Sequence, residues 1–297
     1  MKPILFPFLI ALAGTAAGVT IIDPADDPSI SSQLYRDEAA RFFSVGKITE
    51  GAVTGSGVLI GDRWVLTAAH VADALTAGTF AIGGSTYSIS SSVIHPGYTS
   101  GSFESDFALL FLSTAVGNVA AAEIWQYSDS MSMIGVEASW VGHGFVGSGR
   151  TGFVGISQFR ALTNVIDVLG GHPDYPTLPS SSFVADFDHP DGSTNTPASS
   201  PTATRLEGSL APGDSGGGVF TSIGGRDYLI GINSYGSTHS SQPGGTNGRY
   251  GALSGAGNLQ AFTGWIEDET GIRAVPEPSA ATLMGLGLAL LLRRTRR

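Results

Sequence analysis

Short apolar runs separated by glycine-rich turns recur along the sequence, and this pattern constrains the fold more than any other feature. Short strands at regular spacing are typical of a β-barrel or a β-sandwich, so we expect an all-β fold. Gly61 and Asp62 lie between two such runs and predict a tight turn. The expected strands cover residues 57–60, 64–67, 79–82, 87–94, 107–112, 138–142, 153–160, 217–222 and 227–234.

Two other segments stand out from this β pattern. Leu259, Phe262, Trp265 and Ile266 fall on one helical face, which predicts a helix over residues 258–269. Residues 170–204 are rich in proline, serine, threonine and aspartate and show no periodicity. A segment of that length without periodicity is usually a functional or mobile loop.

Composition excludes several classes of protein. Only 13% of residues are charged and 42 are glycine, which argues against a coiled coil or long helical bundle, whereas 42% hydrophobic residues argue against disorder. The net charge of −10 makes nucleic-acid binding improbable, because neutralising phosphates requires clustered basic residues. The absence of cysteine excludes disulfides, thiol nucleophiles and zinc–thiolate sites.

The N-terminus has the three parts of a secretory signal peptide. Lys2 supplies the basic region, residues 4–13 form a short apolar run, and small residues follow at 14–17. We therefore expect residues 1–17 to be a signal peptide cleaved after Ala17, the alternative being a buried terminal strand or helix.

The C-terminus combines a Pro-Glu-Pro motif at residues 276–278, an apolar segment at 280–292 and four final arginines. Thirteen helical residues span about 20 Å, less than the ~30 Å hydrocarbon core, so insertion would need local bilayer thinning. The order of these parts resembles the PEP-CTERM sorting signal of Gram-negative bacteria. The resemblance implies transient inner-membrane anchoring, processing by an exosortase-type enzyme, and a final location at the cell surface, in the extracellular matrix or in the medium. A plain tail anchor is the alternative, because the arginines would stay on the cytoplasmic side either way.

Three further segments carry residues for nucleophilic catalysis. They are Trp64-Val-Leu-Thr-Ala-Ala-His70, Ser105-Asp106-Phe-Ala-Leu-Leu110 and Pro212-Gly-Asp-Ser-Gly-Gly-Gly218. A serine is a weak nucleophile that needs a base within hydrogen-bond reach, and the base needs an acceptor to fix its tautomer. His70, Asp106 and Ser215 supply these three residue types, and the backbone N–H groups of Gly213 and Ser215 are candidates for an oxyanion hole.

These segments resemble the trypsin/chymotrypsin family of serine proteases, whose chain order His, Asp, Ser they follow. The resemblance extends over about residues 45–266. It implies two packed antiparallel Greek-key β-barrels with a C-terminal helix, His70 as general base, Asp106 as its orienting group and Ser215 as nucleophile. It also implies protein or peptide substrates, no cofactor and no metal. We expect a monomeric, exported endopeptidase.

Domain boundaries follow from the same resemblance. After the signal peptide, we expect residues 18–44 to be an N-terminal arm or propeptide and residues 45–135 the first barrel. Residues 136–272 would form the second barrel with the C-terminal helix, and residues 273–297 the sorting segment.

The resemblance also suggests a specificity pocket. Ser209, six residues before the nucleophile, would lie at its base, with Gly236 and Gly248 as walls without side chains and Ser234 and Tyr235 also in contact with substrate. An open, neutral pocket favours a large apolar or aromatic side chain. Glu207 is close enough in sequence to lean into this pocket.

In the family that it resembles, Asp214 would pair with a new N-terminal ammonium after activation. Counting back along the chain places that terminus near Ile30, but no Lys or Arg precedes it. Either the signal-cleaved chain is active through another partner of Asp214, which we favour, or another protease trims residues 18–29. We expect structural rather than catalytic roles for His95 and His143.

Other features leave alternatives open. Asp186, Asp188 and Asp191 are spaced for a calcium site, but they lack the full ligand loop, so we expect a solvated turn. At the level of function, the competitors are a catalytically silent surface or matrix binding protein on the same fold and a serine esterase.

Overall fold

A computed structural model describes residues 19–127 and 132–276 of the protein. The expected signal peptide at residues 1–17 and residues 277–297 of the expected sorting segment lie outside the described residues. Within the described part of the chain, no helix is long and apolar enough to cross a membrane.

The first half of the chain forms a closed barrel of six antiparallel strands, in the order β2-β3-β4-β7-β6-β5. Strand β4 pairs with β7 rather than β5, which is the Greek-key connection. The elements are β1 (Thr20–Ile21), α1 (Ser32–Ala39), β2 (Val45–Glu50), β3 (Val53–Leu59), β4 (Trp64–Thr67), α2 (Ala69–Asp73), β5 (Thr79–Ile82), β6 (Ser85–Ile94), β7 (Ala108–Leu112) and β8 (Trp125–Gln126).

The second half forms a seven-stranded antiparallel sheet in the order β12-β9-β16-β17-β18-β14-β13, with α3 near its end. Its two edge strands are joined by only two residues, so the sheet curls round towards itself. The elements are β9 (Glu137–Gly142), β10 (Phe145–Ser148), β11 (Gly152–Ser157), β12 (Arg160–Val165), β13 (Val168–Leu169), β14 (Ser182–Asp186), β15 (Gly208–Ser209), β16 (Gly218–Ile223), β17 (Arg226–Thr238), β18 (Ala252–Asn258), a 3₁₀ turn (Leu259–Ala261), α3 (Thr263–Thr270) and β19 (Val275–Pro276). The expected all-β fold, with few helices and a double-barrel arrangement, is confirmed.

A shared apolar core fixes the two halves against each other. The core of the first barrel continues into the second half through Phe220, Phe262 and Ile266. The rings of Phe42 and Phe220 lie 4.6 Å apart, and those of Phe107 and Phe262 lie 4.2 Å apart. The two halves are therefore held together by close packing.

The segment before the first barrel packs as part of the second half. Strand β1 lies between β10, to which it is parallel, and β15, to which it is antiparallel. The Tyr35 hydroxyl in α1 accepts a hydrogen bond from the Ile22 N–H (3.2 Å) and donates one to the Glu207 carbonyl (2.8 Å). Both Val19 and Tyr35 are fully buried, so removing this segment would expose apolar surface.

Three local expectations are corrected. The single strand expected at 153–160 is two strands, because the chain breaks at residues 158–159 and continues in a different sheet. The expected loop at 170–204 contains strand β14, whose five residues are all buried. The expected C-terminal helix begins with a separate 3₁₀ turn and continues as α3.

Candidate active site

Neighbouring strands of the first barrel bring His70 and Asp106 together. His70 lies in α2, directly after β4, and Asp106 lies just before β7, with Thr67 paired to Ala108. His70 Nδ1 is 2.8 Å from Asp106 Oδ2, and the backbone N–H of His70 donates to Asp106 Oδ1 (2.9 Å). An N–H on Nδ1 leaves the lone pair on Nε2, the tautomer that a general base requires.

Asp106 also accepts a hydrogen bond from a strand of the second half. The Ser234 hydroxyl donates to Asp106 Oδ2, and the carboxylate is almost completely buried. The side chain of Tyr235 is buried as well, with its hydroxyl hydrogen-bonded to Ser182 Oγ at 2.7 Å. Substrate contacts at residues 234 and 235 would therefore be made by the main chain.

Phe103 packs against the His70 imidazole and carried no recognisable sequence signal. The two rings meet edge to face with centroids 5.4 Å apart. Phe103 has a φ of +57° although it is not glycine, which indicates that its surroundings hold the ring in place.

The loop of residues 211–217, here named the nucleophile loop, brings Ser215 to the same place. The Ser215 carbonyl accepts the Ser56 N–H of β3 at 2.8 Å. A Cβ on Gly216 would lie 2.1 Å from Thr67 Oγ1 and 3.1 Å from the Ala68 nitrogen, so this loop sits directly against the start of α2. No hydrogen bond joins the Ser215 hydroxyl to His70, although the structure describes both residues. Such bonds are often long in enzymes without substrate.

Two backbone N–H groups of the nucleophile loop have no partner. Among the described residues, no group accepts a hydrogen bond from the N–H of Gly213 or Ser215. Gly213 adopts a φ of +93°, and the preceding carbonyl, that of Pro212, accepts from the Phe145 N–H at 2.8 Å. Unpaired N–H groups are rare in folded proteins, and two donors on one loop are what stabilisation of an oxyanion requires.

A cavity of about 510 Å³ begins next to this loop at Leu210, and Ser209, Gly236 and Gly248 all line it. Ser209 is buried at the cavity wall, with its hydroxyl 3.2 Å from Ser254 Oγ. The apolar lining includes Phe153, Leu178, Leu210, Ala252 and Leu253.

Glu207 does not lean into the cavity. Its carboxylate is buried and accepts hydrogen bonds from the backbone N–H groups of Asp188 (2.6 Å) and Thr204. The suggestion that Glu207 reaches the specificity pocket is therefore wrong.

The Asp214 carboxylate is completely buried, and backbone N–H groups donate hydrogen bonds to both of its oxygens. Oδ1 accepts from the Gly144 N–H (2.6 Å) and Oδ2 from the Ala211 N–H (2.9 Å). Burial raises the pKa of Asp214 to about 7, while these two bonds and the charge of Arg160 act in the opposite direction. Ile30, the terminus expected from counting along the sequence, is instead buried in the core of the second half.

His143 and His95, for which the sequence predicts structural roles, both pack against aromatic rings. His143 stacks on Phe159 with centroids 4.6 Å apart, and burial lowers its pKa to about 4. His95 meets Phe262 and Trp265 edge to face, each at 5.0 Å, and burial lowers its pKa as well.

The first three residues of the segment expected to be a solvated turn are buried. Asp186 and Asp188 are 3% and 2% exposed, whereas the side chain of Asp191 is 62% exposed and lies 2.7 Å from His189. The solvated-turn expectation is therefore wrong for the first two. Asp167 and Glu207 are also buried nearby, and Asp167 Oδ2 accepts from the Asp186 N–H at 3.1 Å. Within residues 19–127 and 132–276, no group of three or more His, Asp or Glu side chains is arranged to hold a metal ion.

These buried carboxyls, here named the acid cluster, carry raised pKa values. Burial is the main cause; it raises the pKa of Asp188 to about 8 and that of Glu207 to about 9. Burial and the charge of Asp186 raise the pKa of Asp167, and burial raises that of Asp186 although hydrogen bonds from Thr196 and Ser199 act in the opposite direction. The fold therefore binds protons here that an unfolded chain would release.

Residues 33–164 match the model of the Trypsin family. The match includes the first barrel, His70 and Asp106, and it ends before Ser215. It supports a trypsin-like serine protease, in agreement with the double β architecture. No curated protein matches the chain at a significant level.

The acid cluster predicts that stability falls as pH rises. The folded-state pKa of Asp188 lies above its ordinary value, so its stabilising contribution is complete at acid pH and is lost as pH rises towards about 8. Asp188→Asn stays neutral, so this variant should be more stable than the natural chain at pH 9 and should lose less stability between pH 5 and pH 9. Urea unfolding midpoints at the two pH values measure this.

Asp191→Asn is the matched control, because its carboxyl is exposed and hydrogen bonds from Ser193 lower its pKa. It should show the same pH dependence as the natural chain. An Asp188→Asn variant that loses stability as steeply as the natural chain would contradict this role of the acid cluster.

Proposed function

We propose that this protein is an exported serine endopeptidase with His70, Asp106 and Ser215 as its catalytic residues. The observation that carries the proposal is one arrangement: His70 lies on α2 with its ring oriented by Asp106, and the loop of Ser215, with two N–H groups unpaired among the described residues, packs against the start of that helix. Catalysis of acyl transfer needs a nucleophile, a base and an oxyanion site, and this arrangement provides candidates for all three.

In the proposed mechanism, Ser215 Oγ attacks the scissile carbonyl carbon while His70 Nε2 takes the hydroxyl proton. Asp106 holds the ring and stabilises the imidazolium, and the N–H groups of Gly213 and Ser215 bind the oxyanion. Collapse breaks the C–N bond, and the leaving amine takes the proton from His70. Water then attacks the acyl-enzyme with His70 again as base, releasing the acid and restoring Ser215.

We propose that the 510 Å³ cavity binds the side chain on the acyl side of the cleaved bond, and that this side chain is large and apolar or aromatic. Phe153, Leu178 and Leu253 provide apolar walls. Two polar residues, Asp174 and His239, also line the cavity. The ring nitrogens of His239 already have partners there: one lies 2.8 Å from Ser241 Oγ and the other 3.3 Å from the backbone carbonyl of Asp174.

We propose that the signal-cleaved chain needs no second cleavage near Ile30. Strand β1 pairs on both sides within the second half, and Arg160 donates to the Val19 carbonyl at 3.3 Å. Trimming residues 18–29 would remove that strand. The Arg160 charge also favours the ionised form of Asp214, so a buried cation other than a new N-terminus is available.

Location and partners follow from the termini. The signal peptide at residues 1–17 would direct export, and the PEP-CTERM-like segment at 273–297 would hold the protein at the inner membrane until an exosortase-type enzyme processes it. The protease would then act as a monomer on proteins or peptides at the cell surface, in the matrix or in the medium.

Two other functions compete with this proposal. A catalytically silent binding protein on the same fold would keep the architecture without an activated serine, which the intact His70–Asp106 pair argues against. A serine esterase would use the same residues and would differ in turning over esters but not amides.

Labelling with a fluorophosphonate probe tests the nucleophile. Such a probe reacts with serines that a base activates, so we expect covalent modification at Ser215, located by peptide mapping, and none in Ser215→Ala. Mass spectrometry of the labelled protein should find residues before Ile30 still present. An unlabelled natural chain, or equal labelling of the Ser215→Ala variant, would contradict the proposal.

A larger side chain introduced into the cavity tests the proposed substrate preference. A Cβ at Gly236 would approach only the Leu253 carbonyl, at 3.8 Å, so Gly236→Val should fold normally and narrow the cavity. We expect kcat/KM to fall about tenfold or more for peptide amides with Phe or Tyr before the cleaved bond, and less for those with Ala.

Gly117→Val is the matched control, since a Cβ there meets nothing within 4 Å and the residue lies outside the cavity. Its kcat/KM should equal that of the natural chain. A natural chain that prefers Lys or Glu at this position, or a Gly236→Val variant with unchanged preference, would contradict the proposed pocket.

A further inference from the structure

Ser56 in β3 contacts three separate segments through four hydrogen bonds. Its N–H donates to the Ser215 carbonyl (2.8 Å) and its carbonyl accepts from Thr67 Oγ1 (2.7 Å). Its side-chain Oγ donates to the Gly213 carbonyl (2.8 Å) and accepts from the His143 N–H (2.9 Å). Ser56 is completely buried, so these bonds do not compete with solvent.

The direction of the hydroxyl proton follows from its neighbours. A backbone N–H can only donate, so the His143 N–H must use a lone pair of Ser56 Oγ. The single hydroxyl proton is then free for the Gly213 carbonyl, which can only accept. Ser56 therefore holds both residues of the proposed oxyanion hole by their carbonyls: Gly213 through its side chain and Ser215 through its main chain.

This contact matters because Gly213 is the conformationally free member of the pair. Glycine populates many φ/ψ regions at little cost, and Gly213 has a φ of +93°. The carbonyl on one side of Gly213, that of Pro212, is fixed by the Phe145 N–H, and the carbonyl on the other side, its own, is fixed by Ser56. Without the Ser56 hydroxyl, the Gly213–Asp214 peptide would keep the bond from its N–H to the Ala211 carbonyl (3.1 Å), which lies within the nucleophile loop, but would lose its bond to the first barrel.

We propose that Ser56 is a positioning residue for the oxyanion hole. Its hydroxyl preorganises the hole by holding the Gly213 carbonyl away from the reacting oxygen. The inference rests on the proposed function, because the hole has a role only if Ser215 forms an acyl-enzyme. Ser56 itself touches no substrate. Its contribution belongs to the transition state, where the oxyanion develops, rather than to substrate binding.

The test compares Ser56→Ala with the natural chain in steady-state hydrolysis of a peptide anilide with Phe before the cleaved bond. Removing a direct oxyanion donor costs about 10²–10³ in kcat, and loosening one should cost less, so we expect kcat to fall about 10- to 100-fold. KM should stay within about twofold, since a group that acts in the transition state changes kcat rather than ground-state binding. The midpoint of the acid limb of the pH–kcat/KM profile should not move, because no bond of the Ser56 side chain reaches His70.

Two further variants separate positioning from general destabilisation. Thr221→Val also removes a buried hydroxyl bonded to a carbonyl, that of Glu137 at 3.3 Å, but on β16 and away from the nucleophile loop; it should keep the natural kcat. Ser56→Cys keeps a weak donor of similar shape and should give a kcat between those of Ser56→Ala and the natural chain. Because the chain has no other cysteine, no disulfide can form within it.

The outcomes are distinct. A natural kcat in Ser56→Ala, or in Ser56→Cys if the alanine variant does not fold, would overturn the inference, as would a rise in KM that accounts for the whole loss of kcat/KM. Failure of the natural chain to react with the fluorophosphonate probe at Ser215 would overturn the proposed function and this inference with it. A reactive natural chain with an unaffected Ser56→Ala would overturn the inference alone.

Discussion

The site depends on how tightly the nucleophile loop is packed between the two β units. A Cβ at Gly216 would lie 2.1 Å from Thr67 Oγ1 of the first barrel, and one at Gly217 would lie 2.0 Å from the Val141 carbonyl of the second sheet. No side chain fits at such distances, so only glycine permits this approach. The loop is therefore fixed from both sides, which places Ser215 against α2 and leaves the N–H groups of Gly213 and Ser215 free.

In the second half, burial of the four carboxyls of the acid cluster favours their protonated forms. Backbone N–H groups donate hydrogen bonds to Asp167, Asp186 and Glu207, whereas Asp188 Oδ1 has no partner among the described residues. The cluster is linked to the 510 Å³ cavity. Tyr175 lines the cavity and hydrogen-bonds to Thr196 Oγ1 at 2.8 Å, and that hydroxyl donates to Asp186 Oδ2 at 2.9 Å. Asp186 thus supports one wall of the cavity through Thr196 and Tyr175.

The sequence was informative where the pattern was long or the motif specific. Strands β4 and β5 have the predicted bounds, because each is a short run of strand-forming residues that turn residues delimit. The three motif segments do come together in the fold. Strand β1 has only two residues, too few for any periodicity, and its pairing comes from distant segments. Strand β14 is buried on both faces inside a proline-rich region, so it shows no alternation. Ser56 looks like any strand serine, and only the folded contacts reveal its link to Gly213.

The central claim is that Ser215, His70 and the two N–H groups of the nucleophile loop form one acyl-transfer site. A crystal structure of the protein with a peptide boronic acid measures this most directly, since boron forms a tetrahedral adduct with an activated serine. We predict a bond from boron to Ser215 Oγ, with one boronate oxygen 2.7–3.1 Å from the backbone nitrogens of both Gly213 and Ser215. His70 Nε2 should lie within hydrogen-bond distance of the adduct. An adduct on another residue, or a boronate oxygen that meets neither N–H, would contradict the account.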